Sequence, residues 1–216
     1  MHKVDDTAKS GEASKSGRRR AFDAVVIACL LSATAISNAD APQRVSKLSP
    51  GVLAQASSAA IATVRSDIRS GETAVALGEQ AFAVTDRSHV LYLVPVRYPS
   101  KQALNGVCDL LAMDDHFRIT GRARLFGVDN QGDEVLARCN NVLAAAFRPR
   151  AGKPLLDGIY LLATGVVNTG RNAAEVVTID TESGSVKADD RRTAAIDDGK
   201  EPQSIGPLME RLRRLP

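Results

Sequence analysis

The sequence predicts a mainly β protein: an antiparallel, sandwich-like domain, with a small barrel as the alternative, flanked by an N-terminal helix and a short C-terminal amphipathic helix. Three observations predict it. From about Gln80 to Asp180, segments rich in β-branched and aliphatic residues alternate with turn clusters. Before them, Leu53, Ala56, Ala60, Val64 and Ile68 recur at helical spacing. After them, Ile205, Leu208, Met209, Leu212 and Leu215 fall on one helical face, opposite Glu210, Arg211, Arg213 and Arg214.

Residues 1–39 read as a cleaved export signal. Arg18-Arg19-Arg20 precede an uncharged run from Ala24 to Ile36, and Ser37-Asn38-Ala39 supplies small residues for cleavage after Ala39. The run is thirteen residues long, short of the ~20 that a membrane-spanning helix needs, so no permanent span is expected after cleavage. Arg19-Arg20-Ala21-Phe22 resembles the core of a twin-arginine signal, but Asp23 interrupts the match, which favours general secretion. The expected location is periplasmic or secreted.

Removing the leader changes the charge argument. It carries six of the 28 Lys and Arg and four of the 25 Asp and Glu, leaving 22 basic against 21 acidic residues. With no Trp and a near-neutral balance, the chain has no basic, aromatic face for nucleic acid. Of three cysteines, Cys108 and Cys139 remain in a compartment that permits disulfides, and they are expected to be bonded to each other.

Residues 40–79 read as a polar linker followed by the N-terminal helix, with Ser49 as N-cap and Pro50 in the first turn. Residues 80–188 form the β-rich domain, with strands over 81–85, 89–98, 107–113, 117–128, 134–147, 159–167 and 175–180. Turns are expected at Asp86-Arg87-Ser88, Asp114-Asp115, Asp129-Asn130-Gln131-Gly132 and Thr169-Gly170-Arg171-Asn172. The strand near residue 120 turns Ile119, Gly121, Ala123 and Leu125 inward and Thr120, Arg122 and Arg124 outward. Residues 189–216 combine a mixed-charge linker with the C-terminal helix.

Chemistry-bearing patterns are sparse. No H-E-x-x-H, C-x-x-C, G-x-S-x-G or phosphate-binding glycine loop occurs. Asp114-Asp115-His116 gathers two carboxylates and an imidazole, which a loop turn explains as well as a metal does. Asp129-x-Gln131-x-Asp133-Glu134 has the oxygen-rich start of a calcium loop but lacks its glycine and its final glutamate. No cofactor is expected.

The function expected is that of an exported, non-enzymatic β-sandwich module that binds another protein, in envelope or surface-apparatus assembly. Leu208, Met209, Leu212 and Leu215 are its partner-docking candidates, with Arg211, Arg213 and Arg214 favouring an acidic partner or a peripheral contact with anionic lipid. The rival reading is an exported hydrolase or metal-dependent enzyme using His116 with Asp114 or Asp115.

Overall fold

The computed structural model describes residues 43–86, 89–101, 106–126, 138–166 and 169–215. Residues 1–39, expected as an export signal, and the acidic run Asp129–Glu134 lie outside them. Among the described residues, two antiparallel sheets and three α-helices make up the unit Asn38–Pro216. The first sheet has the order β1-β3-β4-β5-β6, formed by Arg44–Lys47, Phe82–Asp86, His89–Pro99, Gly106–Met113 and Ile119–Phe126. A two-residue strand β2, Val75–Ala76, pairs with β4 at Arg97 and Val96. The second sheet runs β10-β9-β8-β7, formed by Val186–Ala188, Thr169–Asp180, Leu155–Val166 and Arg138–Pro149.

Period-two alternation distributes the apolar side chains over three buried layers. Between the sheets lie Leu91, Leu93, Leu110 and Leu125 from the first and Val142, Leu156, Tyr160, Leu162 and Val177 from the second. The alternate residues of the first sheet, Val94, Val96, Val107 and Leu111, pack on the helix α1, Pro50–Val64. Its Ala56, Ala60 and Val64 have no exposed surface, and their small side chains let the helix lie close to the sheet. Ile159, Leu161 and Val176 face the other way, against α2, Asp190–Ile196, and α3, Ile205–Arg214. The layer order is therefore helix, sheet, sheet, helices. No helix among the described residues is long and apolar enough to cross a membrane.

Three segments depart from the sequence reading. Residues 44–47, expected as linker, form the edge strand β1: Gln43 donates to Asp86 and Thr181, and the β3 backbone recruits the polar segment that follows. Thr169–Asn172, expected as a turn, lies inside β9, because the β8–β9 ladder continues without interruption from Leu155↔Asp180 to Val166↔Thr169. Within the mixed-charge linker, Asp189 caps α2 by accepting from Arg192 N, and Ile196 anchors the helix in the outer layer.

The sheets come into close backbone contact where β6 meets the β9–β10 turn. A Cβ at Gly121 would lie 2.5 Å from Gly184 O and 2.8 Å from Val186 N, so only a glycine allows this backbone contact. Gly121→Ala is therefore expected to lower stability by ~1–3 kcal/mol through overpacking. Equilibrium urea unfolding measures it, and an unchanged midpoint would show that the corner yields freely.

Candidate functional site

The catalytic reading centred on His116 meets an exposed turn. Asp114 Oδ1 accepts from the backbone N–H groups of His116 and Arg118 at 3.0 and 2.9 Å, while Oδ2 accepts from Arg118 Nε at 2.7 Å. These bonds, chiefly to Arg118, hold the Asp114 carboxyl below its usual range. Phe117 adopts a positive φ of 59° and stacks on Tyr92. His116 and Asp115 are 72% and 64% exposed and stand 3.8 Å apart. Asp114 is thus engaged as a turn cap, and no group of three or more candidate metal ligands occurs among the described residues.

The C-terminal helix corrects the docking expectation. Leu208, Met209 and Leu212 are buried against Ile159, Leu161, Val176 and Ile196, and Leu215 packs beside them. A ten-residue helix is marginal alone in water, and the outward apolar residues of β8 and β9 are the nearest cover. The basic face is also engaged. Arg211 donates to Ile196 O at 2.8 Å and to Asp198 at 2.5 Å, and Arg213 and Arg214 share Glu210. The apolar surface expected to meet a partner or a lipid surface is thus internal.

Arg122 and Arg124 face outward, opposite Ala123 and Leu125, as the strand period predicts. On that face they clamp Asp109, which is 1% exposed on β5: Arg122 Nε donates at 2.7 Å and Arg124 Nε at 2.5 Å. Tyr98 donates to the same carboxylate at 2.7 Å, and burial, reinforced by Asp109, pushes the Tyr98 phenol up to about 12. Arg122 also reaches Asp67, tying the turn after α1 to β6, and this hydrogen bond holds Asp67 below the carboxylate range. A second buried aspartate, Asp157 on β8, accepts from Arg150 at 2.8 Å and from Arg192 of α2 at 2.6 Å. Each clamp fastens a peripheral segment to the outer face of a sheet.

Glu175, on β9 beside Thr193 of α2, is the most displaced carboxyl among the described residues. Burial pushes it up from 4.5 to about 7, the hydrogen bond from Thr193 opposes the shift, and Asp190 and Asp189 add to it. The native state then binds the proton more tightly than the unfolded chain, so stability falls as pH rises between 4.5 and about 7 and levels off above. Glu175→Gln is expected to flatten this slope and to raise stability above neutral pH by ~1–3 kcal/mol. Urea unfolding at pH 5 and pH 8 checks it, since an equal effect at both values would leave the titration no part.

The surface best suited to another molecule is the outer edge of β7. Four strand edges bound the two sheets, and three are short or charged: β1 has four residues with Arg44 and Lys47, β10 has three, and β6 carries Arg122 and Arg124. β7 is twelve residues long, and its two charges, Arg138 and Arg148, stand at its ends. Its first half is bulged at Asn140 and Leu143, which have no partner in the β8 register. Each bulge carbonyl is taken by a side chain from the region of the first sheet: Arg97 donates to Asn140 O at 2.7 Å and Gln80 to Leu143 O at 3.1 Å. Beyond the bulges, Ala144 to Phe147 pair regularly with β8, are half-buried and carry no charge.

The disulfide fixes how this edge lies across the first sheet. Cys108 on β5 and Cys139 on β7 are bonded, with Cα atoms 5.7 Å apart. From there β7 passes β4 at Arg97 and β3 at Phe82, whose ring meets Phe147 edge-on at 5.0 Å. Val75 of β2 is the cross-strand partner of Arg97 and shares its face, toward β7. Val75 and Leu143 are each 42% exposed, and Ile119 is the only other exposed large apolar residue among those described. No sequence signal marked this edge, because strand order and bulges decide which strand lacks a neighbour.

Fold and surface together define a disulfide-stapled, two-sheet sandwich covered by helices on both outer faces, with one long strand edge that is uncharged from Ala144 to Phe147. No protein-family model, curated protein or solved structure matches the chain.

Proposed function

We propose that the protein is an exported, non-enzymatic β-sandwich module that binds another protein, in envelope or surface-apparatus assembly, through an extended segment of the partner added to the outer edge of β7. The uncharged edge from Ala144 to Phe147 is the observation that carries this reading. Main-chain hydrogen bonds to such an edge supply affinity, and alternate side chains of the added strand supply specificity. Val75 and Leu143 offer it apolar contact on either side of Arg97 and Gln80. The Arg18–Ala39 leader and the disulfide favour an exported location.

The test uses the exported protein as bait in an envelope extract, with amide exchange measured on the complex. Binding should slow exchange at Ala144 to Arg148, and the double variant Val75→Asp, Leu143→Asp should lose about tenfold or more in affinity with thermal unfolding unchanged. A captured protein that leaves these amides exchanging as before, or binds the double variant equally, places the interface elsewhere.

A further inference from the structure

A second opening lies at the opposite side of the second sheet. β10 pairs with β9 only from Val177 to Ile179, so the earlier part of β9 has no neighbouring strand there. Side chains replace that strand at two points: Asn172 N donates to Glu201 Oε1 at 2.7 Å, and Val176 N donates to Thr193 Oγ1 at 2.9 Å. Alternate residues of a strand direct their main-chain groups to the same edge, and the β8–β9 register is unbroken here. Ala174, midway between the two, therefore points its N–H and C=O outward in the same direction, and neither has a partner among the described residues.

This gap opens into a cleft of about 440 Å³ between β9, the 197–202 connection and α3, within the ~300–1,000 Å³ range of small-ligand sites. Ile196 and Leu208 give it an apolar floor. Its carboxylates are engaged: Asp197 accepts from Gly199 N and Glu201 from Asn172 N. Arg171 and Lys200 also line it, and among the described residues their side chains make no hydrogen bond or ion pair. The cleft thus combines an unpaired main-chain donor and acceptor with two available cations.

We propose that this cleft binds the C-terminal end of an extended peptide, whose last amide pairs with Ala174 and whose carboxylate is met by Arg171 and Lys200. A main-chain amide matches the donor and acceptor of one strand residue, and a carboxylate forms charge-assisted bonds to guanidinium and ammonium groups. This site stands independently of the β7 edge.

The probes are acetyl-Ala-Ala with a free carboxylate, the same dipeptide as its C-terminal amide, and acetate, titrated into the full-length protein by calorimetry and by backbone NMR. The acid should shift the Ala174 amide resonance and bind about tenfold or more tightly than the amide or acetate. Arg171→Gln with Lys200→Gln should reduce the acid to the level of the amide. Equal binding of acid and amide would overturn the carboxylate assignment, and acetate binding as tightly as the dipeptide would overturn the peptide assignment. An unmoved Ala174 resonance with all three probes would overturn the site itself.

Discussion

Asp109→Asn is expected to lower stability by ~3–5 kcal/mol, the range for breaking a buried ion pair from one side. The carboxylate is 1% exposed, while the guanidiniums of Arg122 and Arg124 are about one-third exposed. Asparagine preserves the shape and leaves both cations beside a neutral amide that has only one acceptor oxygen. Asp67 continues to neutralise Arg122 at 2.7 Å, which keeps the expected loss from being larger. Two measurements check this. The urea midpoint should fall with the slope unchanged, and the Tyr98 phenol should titrate at a lower pH, since Asp109 is one of the groups raising it. A loss below ~1 kcal/mol would mean that water screens the cluster as it does an exposed pair.

Cys108→Ser is expected to cost ~2–5 kcal/mol. The bond closes a loop with a sequence separation of 31, for which the chain-entropy model gives ~3–4 kcal/mol. Both cysteines are buried between the sheets, so the substitution also places a hydroxyl in an apolar layer. Because the bond joins β5 to β7, it also governs the edge proposed to bind a partner. Reduction should loosen the crossing of β7 over Arg97 and Gln80 and speed amide exchange along Arg138 to Leu143 before global unfolding. Reduced and oxidised protein with identical unfolding midpoints would assign the bridge no stabilising part.

Legibility in the sequence followed the range of the forces involved. The helix at Pro50 was visible because a proline in the first turn and small apolar residues three or four apart act within one helix. The strand carrying Ala123 and Leu125 was visible because its period lies within eight residues. β1, α2 and residues 169–172 were not, since each takes its conformation from a distant backbone or apolar layer. Their own turn-like and charged composition pointed toward linkers and turns.

By itself the sequence determined a mainly β chain with helical ends and the pairing of Cys108 with Cys139; the export leader is an expectation drawn from residues 18–39. Local periodicity, composition and charge are properties of neighbours along the chain. Tertiary structure alone decided that Arg122 and Arg124 turn toward Asp109, that Leu208 and Leu212 are covered by their own sheet, and that β7 ends its sheet as a long edge strand. Each depends on which strands become neighbours and which faces meet. Those choices arise from burying all apolar faces at once, a condition on the whole chain that no short stretch of residues records.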